Sequence, residues 1–491
     1  MGRTVYVEKH LRTYLTSLAK PDGYVIGLIL GQSAGQKDYI VHLAKTPPPL
    51  TKNVVEETLI SSTVSMEQDA ANIYIRSVKD IPMSWVADHA KHVTRMLPGG
   101  MWVLGVFIVG PEDTLDNTSN VQKLKSVLGA IHKTLSWNNK YLCGNNQDEK
   151  LILSFNSIAQ KYICKSIDIA KDSMLKPADW KFQEKATKWH QLETLVDFDR
   201  LYLIAVDKDP ETLKKQLQNI LTNVADLIDS SLIVIEGEVR SPDDTLETLG
   251  KRKKSSNKKC KNKTDDSNNS LQVSLYIPCS QDNSNVDVRT TSCSASIRLI
   301  GQLVSRTFVH QRASIAEANT AVKEDIVRSL ASRLEMHWDS LIEEENGSPE
   351  GKSRMRDMDI NIVVEFDNLL HLCNLFSENI TLHEPPRRVL IALPDNKVTL
   401  SDYLFPGEGP QEALLSLQEL LDLNVQESQV QKEVELQADP IEFYCQSNVN
   451  TKPLDNNADT TGNYQMTTYL IGLSVAFIIL LIAVLVHQFM I

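Results

Sequence analysis

A single apolar stretch near the C-terminal end of this 491-residue sequence constrains its fold more than any other feature. From Tyr469 to Val486 the chain reads YLIGLSVAFIILLIAVLV, without a charge or a proline. Extended back to Thr467, the stretch has about 20 residues, enough for a helix to cross a hydrocarbon core of ~30 Å. The alternative is a buried core helix, which seldom lacks polar positions over such a length. The sequence predicts a transmembrane anchor over residues 467–488, represented by Tyr469, Leu473, Phe477, Leu481 and Val486.

The opposite end of the chain, MGRTVYVEKHLRTYL, has no apolar run of the kind found in signal peptides. A C-terminal span without a signal is typical of a tail-anchored protein, which is inserted after translation. We therefore expect a single-pass membrane protein whose N-terminal bulk lies in the cytosol. Seven cysteines, an odd number spread over the whole chain, do not suggest a disulfide framework and fit a reducing compartment.

The charge distribution argues against a nucleic-acid partner. The net charge is −12, whereas nucleic-acid-binding proteins usually carry a basic patch and the opposite sign. Residues 251–263 (KRKKSSNKKCKNK) hold eight basic side chains, and the rest of the chain carries −20 without them. This insertion, near residues 245–270, is either a targeting or anionic-lipid patch or a solvated disordered loop. Its polar flanks favour the loop.

The remaining sequence predicts two folded domains of mixed class. In residues 1–175, the apolar runs Tyr24–Gly31 and Trp102–Gly110 are typical of buried strands, and helical spacing between them predicts an α/β-type domain. In residues 180–423, strands outnumber helices, although Ile315–Leu341 has the pattern of a long amphipathic helix. The overall prediction is α+β. Residues 424–465 are polar, acidic and aperiodic, which indicates a flexible tether before the anchor.

The sequence contains no recognisable catalytic, cofactor-binding or metal-binding motif. There is no phosphate-binding glycine loop, no CxxC, no HExxH and no GxSxG. Cys143 and Cys164 are the nearest candidates for a nucleophile, but neither lies in a known nucleophile motif. His89 and His92, three residues apart, suggest an alternative function as a metal-dependent hydrolase, although no third ligand is near. A membrane-fusion protein would need heptads beside the anchor, and residues 424–465 have none.

Several short motifs occur in order along the chain, at positions Gln36, Lys37, Asp38, Tyr39, Met96, Pro98, Gly99, Gly100, Pro177, Asp179 and Trp180. Together they resemble the Odr-four-like proteins (odorant response abnormal protein four). The resemblance implies a tail-anchored protein of the endoplasmic reticulum membrane that assists folding, trafficking or localisation of a subset of G-protein-coupled receptors. It also implies recruitment of the cysteine protease of the ubiquitin-fold modifier. The resulting prediction is a non-enzymatic adaptor without a cofactor.

The first domain is also similar to the MPN (Mov34) fold. Metalloproteases of that fold place an HSHP motif where this chain has Gly105–Pro111, so that Ile108 and Gly110 stand at the two zinc-histidine positions. Tyr24 stands roughly at the position of the catalytic glutamate. Neither an isoleucine nor a glycine can bind zinc through its side chain. The resemblance therefore implies a non-catalytic MPN-like domain that serves as a docking or dimerising platform.

Overall fold

The computed structural model describes most of the chain and forms a mixed α+β fold. The described residues are 2–20, 23–49, 75–138, 141, 148–171, 174–205, 211–247, 270–278, 293–347, 384–393, 398–432 and 434–435. The helices in these ranges are α1 (His10–Ser17), α2 (Met83–Met96), α3 (Thr118–Asn138), α4 (Leu213–Ser230), α5 (Ile315–Gly347) and α6 (Pro410–Leu421).

The strands of the described ranges form three sheets. They are β1 (Arg3–Glu8), β2 (Val25–Ala34), β3 (Lys37–Lys45), β4 (Trp102–Gly110), β5 (Glu149–Asn156), β6 (Lys161–Asp168), β7 (Lys176–Gln183), β8 (Trp189–Ala205), β9 (Leu232–Ile235), β10 (Leu271–Tyr276), β11 (Cys293–His310), β12 (Arg387–Ala392), β13 (Thr399–Leu404) and β14 (Val430–Gln431).

The first sheet is a closed barrel with the strand order β1-β3-β2-β4-β5-β6-β7. Strand β1 closes it, because β1 pairs in parallel with β3 on one side and with β7 on the other. The two apolar runs form β2 and β4, as predicted, and every residue of β4 is buried. Both faces of β4 are covered because one faces the barrel interior and the other faces helices.

Two apolar layers stabilise this barrel. The inner layer fills the barrel with side chains that include Val5, Phe107 and Trp180, and α1 adds Leu11 and Leu15. The outer layer lies between the barrel and the helices α2 and α3, which pack against each other. The breaker Pro98-Gly99-Gly100 predicts that the preceding helix stops there, and α2 ends at Met96, two residues before Pro98.

The second sheet has the order β11-β8-β10-β9 and packs against α4 and α5. Its two long strands, β8 and β11, pair antiparallel from Trp189↔His310 to Cys293↔Ala205. The predicted long amphipathic helix is confirmed as α5, which buries residues such as Val322, Ile326 and Leu330 in the core of this sheet.

The third sheet, in the order β13-β12-β14, lies with α6 against the outer layer of the barrel. Helix α6 contacts β3 and α2, and β13 also contacts α2. Residues 387–421 thus share a core with α2 and α3, although the sequence groups them with the second predicted domain. The division into residues 1–175 and 180–423 stays a prediction.

The start of the predicted tether differs from the sequence expectation. Residues 427–429 form a 3₁₀ turn, β14 follows it, and Glu435 is 5% exposed. Specific hydrogen bonds hold this part of the chain, and local sequence patterns do not reveal such bonds.

The predicted anchor and the basic insertion lie outside the described residues. Within the described ranges, none of the helices is both apolar and long enough to span a bilayer.

Candidate functional site

The first group of motif positions, Gln36 to Tyr39, lies at the start of β3, which begins at Lys37, and its buried member is Asp38. The carboxylate of Asp38 is 1% exposed and accepts a hydrogen bond of 2.7 Å from Arg3 Nη2. Arg3 Nη1 also donates to Glu149 Oε2 at 2.6 Å. Burial lowers the pKa of Arg3, but Asp38 and Glu149 outweigh burial, so that its pKa is raised. Arg3 therefore fastens β1 to Asp38 of β3 and to Glu149 of β5, while Gln36 and Lys37 are exposed.

Tyr39 belongs to an aromatic cluster between the barrel and the second sheet. Its ring stacks on Tyr6 with centroids 5.6 Å apart, and it meets Trp189 edge-on at 6.2 Å. The His310 ring lies 5.6 Å away on the other strand of the β8–β11 pair. Contacts of this kind add a modest stabilisation beyond area burial, about 0.5–1.5 kcal/mol per aromatic pair.

The second motif group, Met96 to Gly100, forms the contact between the barrel and β11. The carbonyl of Gly99 accepts a hydrogen bond of 3.0 Å from the backbone N–H of Phe308. A Cβ on Gly99 would lie 2.2 Å from Thr307 Oγ1, so only glycine allows this approach. Gln32 Nε2 donates to the carbonyls of Gly100 at 2.8 Å and Phe308 at 3.0 Å.

A buried charge network lies directly behind this contact, and sequence reasoning missed it. Asp325 of α5 accepts bonds of 2.7 and 3.0 Å from the guanidinium of Arg388, and 2.7 Å from Ser305 Oγ. Arg328, one turn further along α5, donates to the carbonyls of Met101 at 3.1 Å and Leu97 at 3.0 Å. We call Asp325, Arg328, Arg388 and Ser305 the junction network, since together they join α5, β11 and β12 to the loop after α2.

The third motif group, Pro177 to Trp180, lies on β7. Trp180 is 5% exposed and belongs to the inner layer of the barrel, where its ring packs edge-on against Phe182. Asp179 points outward and forms an ion pair of 2.7 Å with Lys181. The structure thus distributes the motif positions over three contacts that stabilise the fold. They do not come together in one cleft.

Of the candidate catalytic side chains in the described ranges, Cys164 and His89 are buried. Burial raises the pKa of the Cys164 thiol well above its usual value, which makes this thiol unreactive. Cys143 lies outside the described residues. His89 uses both ring nitrogens, since Nε2 lies 2.7 Å from the Leu420 carbonyl and Nδ1 lies 3.1 Å from Thr46 Oγ1. Burial lowers the pKa of His89 to about 4 and also lowers that of His92.

The positions compared with MPN metalloproteases meet at the end of β4. Ile108 is 1% exposed and packs in the outer layer of the barrel. A Cβ built on Gly110 would lie 2.2 Å from Cδ1 of Tyr24, so the Tyr24 ring occupies the space of a side chain at position 110. In the described part of the chain, no group of three or more His, Cys, Asp or Glu residues could hold a metal ion.

The outer face of β8 is an exposed surface with an alternating apolar and acidic pattern. Leu195, Leu201 and Leu203 are 50%, 39% and 49% exposed, although strand leucines are usually covered. Asp199 between them forms a bidentate pair of 2.8 Å bonds with Arg298, and Asp197 accepts from Gln302 at 2.8 Å. Apolar residues rimmed by polar ones are typical of protein-binding surfaces. The period of two along 195–203 was the sequence signal for this face.

Sequence comparison finds relatives that align with most of this chain. A human "Protein odr-4 homolog" is 29% identical over 437 residues, covering 87% of this chain and 84% of that protein. The Drosophila melanogaster homologue is 22% identical over 531 residues and 99% of both chains. "Odorant response abnormal protein 4" of Caenorhabditis elegans is 22% identical over 442 residues, covering 85% of this chain and 78% of that protein.

A crystal structure of UfSP from C. elegans aligns with 86% of this chain and 57% of its own length, at 8% identity and a TM-score of 0.40. The sequence profile of the Odorant response abnormal 4-like family matches residues 27–432, which span most of the barrel and the other two sheets. The chain belongs to the Odorant response abnormal 4-like family.

Proposed function

We propose that this protein is a non-enzymatic, tail-anchored adaptor of the endoplasmic reticulum membrane, with the barrel and both other sheets in the cytosol. In this proposal, residues 467–488 hold it in the membrane as a single span. It recruits the cysteine protease of the ubiquitin-fold modifier and assists folding, trafficking or localisation of a subset of G-protein-coupled receptors. The uncharged run from Tyr469 to Val486 supports the anchor, and the name of the C. elegans relative supports a link to odorant response.

The geometry at the end of β4 is the observation that carries the non-enzymatic part of the proposal. We infer a non-catalytic MPN-like barrel, since Ile108 is packed in the core and the Tyr24 ring fills the space above Gly110. A histidine at position 110 would collide with that ring, so the barrel has no room there for a zinc ligand. A tyrosine is also a poor general base at neutral pH, because its usual pKa is about 10.

Anchoring by itself explains how such a protein could act without catalysis. A partner held at a membrane surface reaches a higher effective concentration towards other proteins of that membrane. The exposed β8 face with Leu195, Leu201 and Leu203 is a second surface available for binding, beside the first domain that the sequence favours for docking.

The test of the proposal is a deletion of every residue after Thr467. The truncated protein should be soluble, should still co-purify with the cysteine protease, and should no longer bring it to membranes in a flotation assay. A second deletion that removes the first 180 residues should lose the protease. Loss of protease binding by the truncated protein in solution, or retention of binding without the first 180 residues, would contradict the adaptor model with a docking barrel.

The alternative, a metal-dependent hydrolase that uses His89 and His92, finds little support in the geometry. A zinc ligand needs a free ring nitrogen, and both nitrogens of His89 already face Leu420 and Thr46. Metal analysis of the purified protein separates the two functions. Stoichiometric zinc that is lost in a His89→Gln variant would favour the hydrolase.

A further inference from the structure

The segment after α6 is held between two sheet edges. We call Gln426–Lys432, together with Val434 and Glu435, the strap. Its strand β14 pairs antiparallel with β12 through only two residue pairs, Leu390↔Gln431 and Ile391↔Val430. Most of the strap is exposed or half-buried, and Glu435 at its end is the exception. A two-residue ladder is a weak attachment, since strands of globular proteins usually have about five or six residues.

Glu435 supplies the main attachment of the strap. Its Oε1 atom accepts a hydrogen bond of 2.9 Å from the backbone N–H of Val304 on β11, and it also accepts from the guanidinium of Arg333 on α5. Its Oε2 atom accepts from the backbone N–H of Arg388 on β12 at 3.2 Å. One buried carboxylate thus bonds to β11, β12 and α5 together. Charge-assisted bonds of this kind are stronger than neutral ones.

At Val304, the backbone groups on the outer edge of β11 form hydrogen bonds with side chains instead of with a neighbouring strand. The N–H of Val304 donates to Glu435, and its carbonyl accepts from Arg388 Nη1 at 3.0 Å. A sheet edge that is not paired by a strand can accept an extended chain. Without the strap, Val304 of β11 and the ladder positions Leu390 and Ile391 of β12 would present backbone hydrogen-bonding groups that an extended chain could pair with.

An open groove of ≈ 680 Å³ runs beside the strap. Its lining is Arg306, Val430, Gln431, Lys432 and Val434. Arg306 Nη1 donates to Gln431 Oε1 at 3.0 Å and so lies along the strap. All of the lining residues except Arg306 belong to the strap, so they would leave with it. The ligand is defined instead by the donors that Glu435 now occupies, which are the Arg333 guanidinium and the backbone N–H groups of Val304 and Arg388. These donors favour an extended segment that carries a carboxylate.

We propose that the gap between β11 and β12 is a strand-binding site that the strap occupies in cis and that an extended acidic segment of a partner protein occupies in exchange. The exchanging segment pairs with Leu390 and Ile391 and places a carboxylate where Glu435 now bonds to Val304, Arg333 and Arg388. This is β-strand addition, in which main-chain bonds provide affinity and one anchored side chain provides specificity. The strap then acts as an internal competitor.

Hydrogen exchange of the full-length protein, followed by mass spectrometry, tests this exchange. In a Glu435→Gln variant, residues 300–306 and 386–393 should exchange at least tenfold faster than in the unmodified protein, while β2 and β4 keep their protection. The probe is a synthetic peptide of residues 426–438, QESQVQKEVELQA. Added to the variant, this peptide should restore protection of both segments. The same peptide with glutamine in place of Glu435 should not.

The control is Glu427→Gln, which removes an exposed carboxylate of the same strap and should leave exchange unchanged. A second variant, Val430→Asp, weakens the strap without touching the buried carboxylate, and it should also open both segments and bind the peptide. Unchanged exchange in Glu435→Gln, faster exchange throughout the barrel, or failure of the peptide to restore protection in either variant would each overturn the proposal.

Discussion

Replacement of Arg388 by methionine tests whether the junction network stabilises the fold. The guanidinium of Arg388 is 1% exposed and donates twice to Asp325, once to Ser401 Oγ at 2.8 Å and once to the Val304 carbonyl. In Arg388→Met, Asp325 keeps Ser305 and the more distant Arg328 at 3.6 Å. Breaking a buried pair by removing one partner costs about 3–5 kcal/mol, because the remaining charge stays buried.

The pKa of Asp325 agrees with this view of the pair. Burial alone would raise the pKa of this carboxyl, but Arg388 and Arg328 outweigh burial and hold the pKa below its usual value. Its charged form is therefore the one that the fold stabilises. Loss of Arg388 should reduce the free energy of unfolding most at neutral pH, where Asp325 is ionised.

Thermal unfolding of the purified protein, followed by circular dichroism, measures the effect. At about 2 °C per kcal/mol, Arg388→Met should lower the midpoint by about 6–10 °C. The matched control is Arg298→Met, which removes an equally bidentate arginine from the exposed Asp199 pair and should cost less than about 1 kcal/mol.

A double variant, Arg388→Met with Asp325→Asn, completes a thermodynamic cycle. Because the two side chains are in contact, the double loss should be smaller than the sum of the single losses by at least about 1 kcal/mol. An Arg388→Met midpoint equal to that of Arg298→Met, or strict additivity in the cycle, would refute the reasoning.

Three further predictions use the same thermal assay. Gly99→Ala places a Cβ 2.2 Å from Thr307 Oγ1 and should destabilise by about 1–3 kcal/mol, whereas Gly129→Ala, with nothing within 4 Å, should be neutral or stabilising by about 1 kcal/mol. Burial raises the pKa of Asp402 to about 7, so the folded state favours its protonated form. Its contribution to stability is therefore lost as pH rises from about 4 to 7, by at most about 4 kcal/mol, and Asp402→Asn should remove this part of the pH dependence. Burial lowers the pKa of His89 to about 4, so its contribution is complete above pH 6.5 and is lost as pH falls towards 4. His89→Gln should flatten this acid limb, and an unchanged limb in either titration variant would contradict the assignment.

Some parts of the fold followed from local sequence. The continuous apolar runs that became β2 and β4 needed no knowledge of their neighbours, since a strand covered on both faces must be apolar throughout. The stop at Pro98 and the helical spacing of α5 were equally local signals. Strand β1 was missed, because RTVYVE is short and partly charged. It is a strand because both of its edges pair and close the barrel.

The candidate site was harder to predict than the fold. The motif glycines could be identified from the sequence, but the reason why these positions need glycine could not. Gly99 must lack a side chain because β11, about 200 residues later in the chain, approaches it closely. The sequence predicts strands over Leu201–Val206 and Ala295–Gly301, so the first part of β8 and the second half of β11 were missed. Ser305 and Thr307 are polar, yet both are buried, because Ser305 belongs to the junction network and Thr307 Oγ1 lies 3.3 Å from Ser305 Oγ.

The sequence by itself determined the family, the mixed α+β class, the buried strands and the apolar run that predicts an anchor. Each of these depends on the identity or period of neighbouring residues, which can be read along the chain. Only the tertiary structure decided which charges pair, that residues 387–421 pack on the barrel helices, and that Glu435 bonds to two sheets. Asp325 and Arg388 are 63 residues apart in the chain. Their electrostatic attraction is strong only because folding brings them together in the interior, away from water.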